Sequence, residues 1–510
     1  MGSHRSEIKQ ILEANFGYTS FRTGQQEIIE DVLAGKDVLG ILPTGTGKSL
    51  CYQLPSLMLE GVTVVVSPLI SLMIDQVKQL KASGFKRVAA IHSLVPHEQK
   101  ESILNHLNKI KLLYVSPEML QNNRILQRLK AATVSFFVVD EAHCISQWGH
   151  EFRTDYLKLG EIIEQLNQPT ILALSATAPP NVQEDIIHYL NRPNMVKRIF
   201  PMDRENIAFV VEHVSNWAEK LERIVGLLQE KPVPTMIYFS SRKWCERISK
   251  LLQERLPNIN VAHYHGGMDP NERLLIQQQF MNNQLDVICC TSAFGMGVNK
   301  PDIRLVIHYH LPTQMESYLQ EVGRAGRDGK QSIGLVLYSN SDVEIPLSLI
   351  EQELPSENQM KTVLEYLYQT KEGPLPSWNE DVYLQQVLNE TQWRFLMYQL
   401  ERHHIVQNNE LIGRQEDLKQ GLQNILTFVQ KRLAYKNDKF LQLLRWIHYN
   451  GCRRELMYKA FQKGFAQPEK MCCDQCGEVF SLWKPEIFER SDEDYSWKDR
   501  LERIFQVGRN

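Results

Sequence analysis

The sequence predicts an α/β fold of two parallel sheets in tandem, followed by a helical, cysteine-bearing region. Three observations carry this reading of the 510 residues. Short apolar runs alternate with helical patterns from Val38 to about Phe200. A second such series runs from Thr235 to about Ser339. Past Ser341 the chain becomes Gln-, Glu- and Leu-rich. Alternating strands and helices give a parallel sheet wrapped by helices, and its strands read as continuous apolar runs because both faces are covered.

The first set of runs is "DVLGIL", "VTVVVS", "KLLYVS", "SFFVVD" and "TILALSAT", with "SLMIDQVKQLKASG" as an intervening helix. The second begins after the polar "MDRENIAF" and comprises "TMIYFSS", "NINVAHYHG", "LDVICCTS", "RLVIHYH" and "SIGLVLYS". In both sets the polar, unusual residues fall directly after an apolar run, at the strand ends where such sheets hold ligands. The cleft between the two domains is the expected site. The expected limits are 1–205 and 206–345 for the α/β domains, 346–430 for a helical or winged-helix-like insert, 431–480 for a metal-binding module and 481–510 for a tail helix.

With 43% apolar and 23% charged residues, the chain can form about three ordinary domains. Its longest apolar runs are far shorter than the roughly 18 residues a membrane span needs. The start shows no signal segment, so the expected address is cytoplasmic. A net charge of −3 means that any nucleic-acid binding must come from local basic patches. Of the nine cysteines, Cys51, Cys144, Cys245, Cys289 and Cys290 stand in apolar surroundings and read as core.

Chemistry concentrates at four places. "LPTGTGKSL" follows an apolar run and opens a helix, so the backbone N–H groups of Thr44, Gly45, Thr46 and Gly47 can wrap a triphosphate. Lys48 would reach the β/γ-phosphates and Ser49 would hold Mg²⁺. Leu42 stands where the strict phosphate-loop pattern has its first glycine, so a chance Gly-rich turn is the competing reading. "DEAH" follows "SFFVV". Asp140 would join the Mg²⁺ shell and Glu141 would act as base for the attacking water; a helix cap is the alternative. "GRAGRDG" carries Arg324 and Arg327 between glycines that permit close approach. They are candidates to reach the γ-phosphate across the cleft, against a solvated basic turn. Cys452, Cys472, Cys473 and Cys476 place four sulfurs within residues 452–476, as for a structural Zn²⁺, with a redox pair as the alternative.

Taken in order, "LPTGTGKS", "SPLISLMIDQV", "YVSPEML", "DEAH", "LSAT", "IYFSSR", "CTSAFGMGVNKPDIRLVIH" and "QEVGRAGRDG" resemble the motifs of superfamily 2 helicases of the RecQ family, in particular its short type found in bacilli. The resemblance covers roughly residues 10 to 340 and resumes at the cysteines. It implies two RecA-like motor domains, ATP with Mg²⁺, a zinc module, and 3′→5′ movement on single-stranded DNA in repair, recombination or fork maintenance. "FGYTSFRTGQQEII" resembles the family's adenine-reading element, with Tyr18 stacking on the base and Arg22 and Gln25 bonding to it; read alone, "FGY" is a small hydrophobic staple. "CISQWGHEFR" resembles the family's DNA-sensing loop. Trp148 and Phe152 offer stacking faces, Arg153 offers charge for phosphate, and His150 lies between them; local core packing is the other reading of the two aromatics. Adjacent Cys472 and Cys473 depart from the family's usual ligand spacing.

The expected partners are single-stranded and duplex DNA, with single-strand-binding protein a further candidate, for a monomer associated with the nucleoid. A DEAH-type RNA helicase and an ATP-switched annealing protein are the alternatives. Residues 330–451 are long for a link, and "KTVLEYLYQTKEGPLPSWNEDVYLQQVLNETQWRFLMYQLERHHIVQNNELIGR" reads as two helices, a third capped by Thr391, and a hairpin about "QNN". That pattern suggests a winged-helix-like module at about 355–415, with Arg394, Arg402, His403 and His404 as its cations. A helical spacer on the second motor domain is the competing reading.

Overall fold

Seven parallel strands build the first sheet: β1 (Val38–Ile41), β2 (Val62–Val66), β3 (Val88–Ile91), β4 (Leu112–Val115), β5 (Val134–Val139), β6 (Thr170–Ser175) and β7 (Val196–Ile199). Their order across the sheet is β3-β4-β2-β5-β6-β1-β7. The second sheet orders β8 (Ile207–His213), β9 (Thr235–Tyr238), β10 (Val261–Tyr264), β11 (Val287–Cys290), β12 (Leu305–His308) and β13 (Ser332–Tyr338) as β10-β11-β9-β12-β13-β8, again all parallel. The computed structural model describes residues 2–146, 153–294, 300–369, 375–407, 410–412, 415–459, 461–462, 468 and 471–486. Every residue of β1, β2, β4, β11, β12 and β13 is buried, as expected for strands covered on both faces. No described helix is long and apolar enough to cross a membrane.

The fold adds three strands to those read from the sequence: β3, β7 and β8. Each is an edge strand. β7, "VKRI", alternates half-buried and exposed positions. β8 begins inside "MDRENIAF", so part of the segment read as a polar divider belongs to the second sheet.

After the second sheet come the helices Glu344–Glu351, Glu357–Gln369, Val382–Val387 and Glu390–Arg402. An antiparallel hairpin of β14 (Val406–Gln407) and β15 (Glu410–Leu411) follows. The helices and hairpin share a core in which Trp393, Leu396 and Leu400 meet Met360, Val363, Leu367 and Ile405. One expectation needs correction. The cap of helix Glu390–Arg402 is Asn389, not Thr391: its side chain accepts from Gln392 N, and the Gln392 side chain accepts from Asn389 N. Such a reciprocal box satisfies two otherwise orphaned donors, which a cap at Thr391 would leave without their partners.

This helix faces the first α/β domain, with Lys158 Nζ 3.2 Å from Glu401 and Arg394 Nη1 3.7 Å from Asp155. Arg394 also pairs with Glu390 at 2.6 Å, so it already has two acidic neighbours. The single helix Gln415–Ile447 then runs through the expected limit at residue 430. Ile425 and Val429 join the insert's core, while Phe440, Leu443 and Trp446 join the core of the α/β domains. At its far end Cys452, the helix Arg453–Lys459 and residues 471–476 dock on β8, where Phe209 N donates to Cys472 O and Asp474 N donates to Phe209 O. A four-residue helix, Val479–Leu482, crosses the expected start of the tail helix at 481; residues 483–486 follow without helix, and residues 487–510 lie outside the described residues.

Candidate active site

Both sheets present their carboxyl ends to one cleft. β1 ends at Ile41 and the chain turns through Pro43–Ser49 into the helix Leu50–Met58. Gly45 takes φ +84°, a left-handed conformation that costs glycine little. A Cβ there would lie 3.0 Å from Arg327 Cγ. β5 delivers Asp140 and Glu141 beside this loop. Glu141 has φ 48° and ψ 47°, a left-handed conformation that costs a non-glycine residue about 1–3 kcal/mol and tends to persist at functional sites.

From the second sheet, the helix Met315–Val322 ends at Gly323, and the turn beyond it carries Arg324 and Arg327. Gly323 lies so close to the first domain that a Cβ would stand 2.0 Å from Thr44 Oγ1, which donates to Gly323 O at 3.1 Å. The cleft is lined by Tyr18, Arg22, Gln25, Thr44, Gly45, Gly47, Lys48, Ser49, Asp140, Glu141, Arg324 and Arg327. Of the residues expected at the nucleotide, Thr46 is not among the lining; its hydroxyl donates to Pro43 O.

Each wall holds a crowded pair of like charges, Asp140 with Glu141 on one and Arg324 with Arg327 on the other. Burial and the adjacent Glu141 push the Asp140 carboxyl up to about 7, against the pull of Lys48. Burial, Arg324 and Arg204 push the Arg327 guanidinium down to about 9. Acids crowd one wall and guanidiniums the other, and each crowding would be relieved by a bound group of opposite charge. A dication at Asp140 and an anionic phosphate at the arginines fit that demand, as Mg²⁺-triphosphate supplies both.

Arg22 and Gln25 bond to the Pro43–Ser49 loop itself. Arg22 Nη1 donates to Gly45 O at 2.6 Å, and Gln25 Nε2 donates to Thr46 O at 2.7 Å. Tyr18 stands half exposed at the rim. Trp148, His150 and Phe152 lie outside the described residues. Arg153 donates from Nη1 to Pro68 O at 3.0 Å, and its backbone N donates to Cys144 O.

Two residues went unassigned in the sequence. The fully buried His143 places Nδ1 3.0 Å from Ser175 Oγ and 3.4 Å from Glu141 Oε2, joining "DEAH" to "LSAT". Arg204, read only as part of a divider, bonds to Thr44 O in one domain and to carbonyls of residues 323–326 in the other. The polarity of "MDREN" was its one visible signal.

Away from the cleft, the sulfurs of Cys452, Cys472, Cys473 and Cys476 all lie within 4.8 Å of one another. The Cys452–Cys472 and Cys473–Cys476 separations are 3.6 and 3.5 Å. Tetrahedral Zn–S bonds of about 2.3 Å place sulfurs roughly 3.8 Å apart, so the donor set and spacing fit such an ion. Adjacency of Cys472 and Cys473 does not keep either from the cluster.

The chain matches the DEAD/DEAH box helicase model over residues 22–186 and the helicase conserved C-terminal domain over residues 219–329. It is 40% identical over 506 residues to the probable ATP-dependent DNA helicase RecS of Bacillus subtilis, with 98% of each chain covered. It belongs to the RecQ family. Against the ATP-dependent DNA helicase RecQ of Haemophilus influenzae it is 43% identical over 334 residues, covering 65% of this chain and 53% of that one. RecQ-family motor architecture also relates it to solved helicases. The DEAD-box helicase Mss116 bound to ssRNA aligns with a TM-score of 0.58 at 16% identity, covering 88% of each chain. The DUF1998 helicase MrfA bound to DNA aligns at 0.56 and 21% identity, covering 66% of this chain and 51% of that one. These two likenesses concern the fold.

Proposed function

We propose that this RecQ-family DNA helicase moves 3′→5′ on single-stranded DNA and separates duplexes, driven by ATP hydrolysis between its motor domains. The convergence of Lys48, Ser49, Asp140 and Glu141 with Arg324 and Arg327 in one cleft carries the reading. Lys48 and the loop N–H groups bind the phosphates, and Ser49 and Asp140 would hold Mg²⁺, which neutralises phosphate charge. Glu141 takes the proton of the attacking water, while Arg324 and Arg327 meet charge developing on the γ-phosphoryl group. Tyr18 at the rim receives the adenine. Hydrolysis then depends on both domains, so closing and opening of the cleft can step the protein along a strand.

Residues 147–152, next to Glu141 in sequence, are proposed to report the strand's presence through stacking of Trp148 and Phe152, with His150 between them and Arg153 holding the segment's far end. The four cysteines are proposed to bind one structural Zn²⁺. DNA repair, recombination or fork maintenance by a nucleoid-associated monomer is the setting this activity suits, with single-strand-binding protein as a partner. Strand separation on duplexes carrying one tail tests the polarity. A 3′-tailed DNA should be unwound and its 5′-tailed counterpart left intact; the reverse preference would refute the assignment.

A further inference from the structure

Arg204 connects the two halves of the cleft without lining it. It lies behind the cleft, against a small cavity bordered by Pro43, Thr44, Met202, Phe209, Gly323 and Tyr458. Nη1 donates to Thr44 O at 3.1 Å and more weakly to Gly323 O at 3.5 Å, while Nη2 donates to Ala325 O at 3.3 Å and to Gly326 O. Asn206 supports it from Oδ1, 3.3 Å from Arg204 Nε, and donates from Nδ2 to Gly326 O and Lys330 O at 2.8 Å each. The backbone around it is anchored as well. Buried Arg454, on the helix that follows Cys452, bonds to Asp203 and to the carbonyls of Arg204 and Ile207, and Met202 N donates to Gln462 Oε1.

We infer that Arg204 is a positioning residue for ATP hydrolysis: its guanidinium fork ties the phosphate loop to the turn bearing Arg324 and Arg327, and so sets where those arginines meet the γ-phosphate. The inference rests on the reading of the cleft as an ATPase site. A guanidinium suits the task because it presents several donors in one plane and can reach carbonyls of both domains at once, which a lysine ammonium on its flexible stem does less well. Arg204 works through Arg327, so its loss should slow the chemical step and leave nucleotide affinity nearly intact.

Steady-state and single-turnover ATPase with single-stranded DNA, on Arg204→Ala, Arg204→Lys, Arg327→Ala and the double variant Arg204→Ala/Arg327→Ala, tests this. Misplacing a catalytic group by about an ångström can cost on the order of 10²-fold. We expect kcat to fall about 10- to 100-fold in Arg204→Ala with KM for ATP within about threefold. Arg204→Lys, with an unchanged melting temperature, should remain slower than wild type. The double variant should be no slower than Arg327→Ala alone. Wild-type kcat in either Arg204 variant, a raised KM with kcat intact, or multiplied losses in the double variant would overturn the inference. A wild-type protein without ATPase would instead refute the reading of the cleft itself.

Discussion

Lys48 and Asp140 hang from one sheet and Arg327 from the other, so single substitutions can separate nucleotide chemistry from DNA binding. Lys48→Ala should lower ATP turnover by about 10²-fold or more, since a cation aimed at transferring phosphates is lost. Single-strand affinity, followed by fluorescence anisotropy of labelled DNA, should change little; wild-type turnover in the variant would contradict the role. These residues were legible because each follows an apolar run or sits in a glycine-rich turn, both local signals. Arg204 and His143 were not legible in the same way. The Arg204 partners at Thr44 and at residues 323–326 are more than a hundred residues away in either direction, and no short-range pattern reports such a meeting. Arg22 and Gln25 were read as bonding to the adenine base; their bonds to the loop carbonyls of Gly45 and Thr46 depend on tertiary approach and had no local signal.

At the level of elements, every interior strand announced itself, whereas of the four edge strands β3, β7, β8 and β10 the sequence showed β10 alone. An interior strand of a parallel sheet is apolar throughout, whereas β7 mixes Lys197 and Arg198 with its apolar residues and β3 is "VAAI", half alanine. The helix Glu390–Arg402 was read at the right place with the wrong cap, because Thr391 and Asn389 are both good capping residues and only the reciprocal bond with Gln392 distinguishes them.

The cysteine cluster and the insert each yield a prediction. Protein purified without chelator should contain about one Zn²⁺ per chain, and removing it should lower the melting temperature, because the four sulfurs brace residues that dock on β8. A metal-free protein of unchanged stability would point to thiol chemistry instead. Deleting residues 356–416 with a short linker should spare ATPase stimulated by single strands and impair unwinding, if the hairpin and its helices engage duplex DNA. Undiminished unwinding would reject that role and leave the insert as packing against Asp155 and Lys158 of the first domain.

For the whole molecule, the central claim is that hydrolysis in the cleft between the sheets is coupled to separating DNA strands. The two-sheet architecture was legible in the sequence because both series of strands repeat one pattern, and the position of the cleft followed from the strand ends. The insert's docking on the first domain was not, since it brings together residues well over two hundred positions apart, as the Lys158–Glu401 and Asp155–Arg394 ion pairs show. The most direct test measures ATP turnover and strand separation together, in the same reactions, on duplexes with a 3′ tail of DNA or of RNA, for the wild-type protein and Lys48→Ala. The account predicts DNA-stimulated turnover with unwinding of the DNA duplex, little of either on RNA, and loss of both in Lys48→Ala. Equal or greater activity on RNA, or DNA-stimulated turnover without any strand separation, would contradict it.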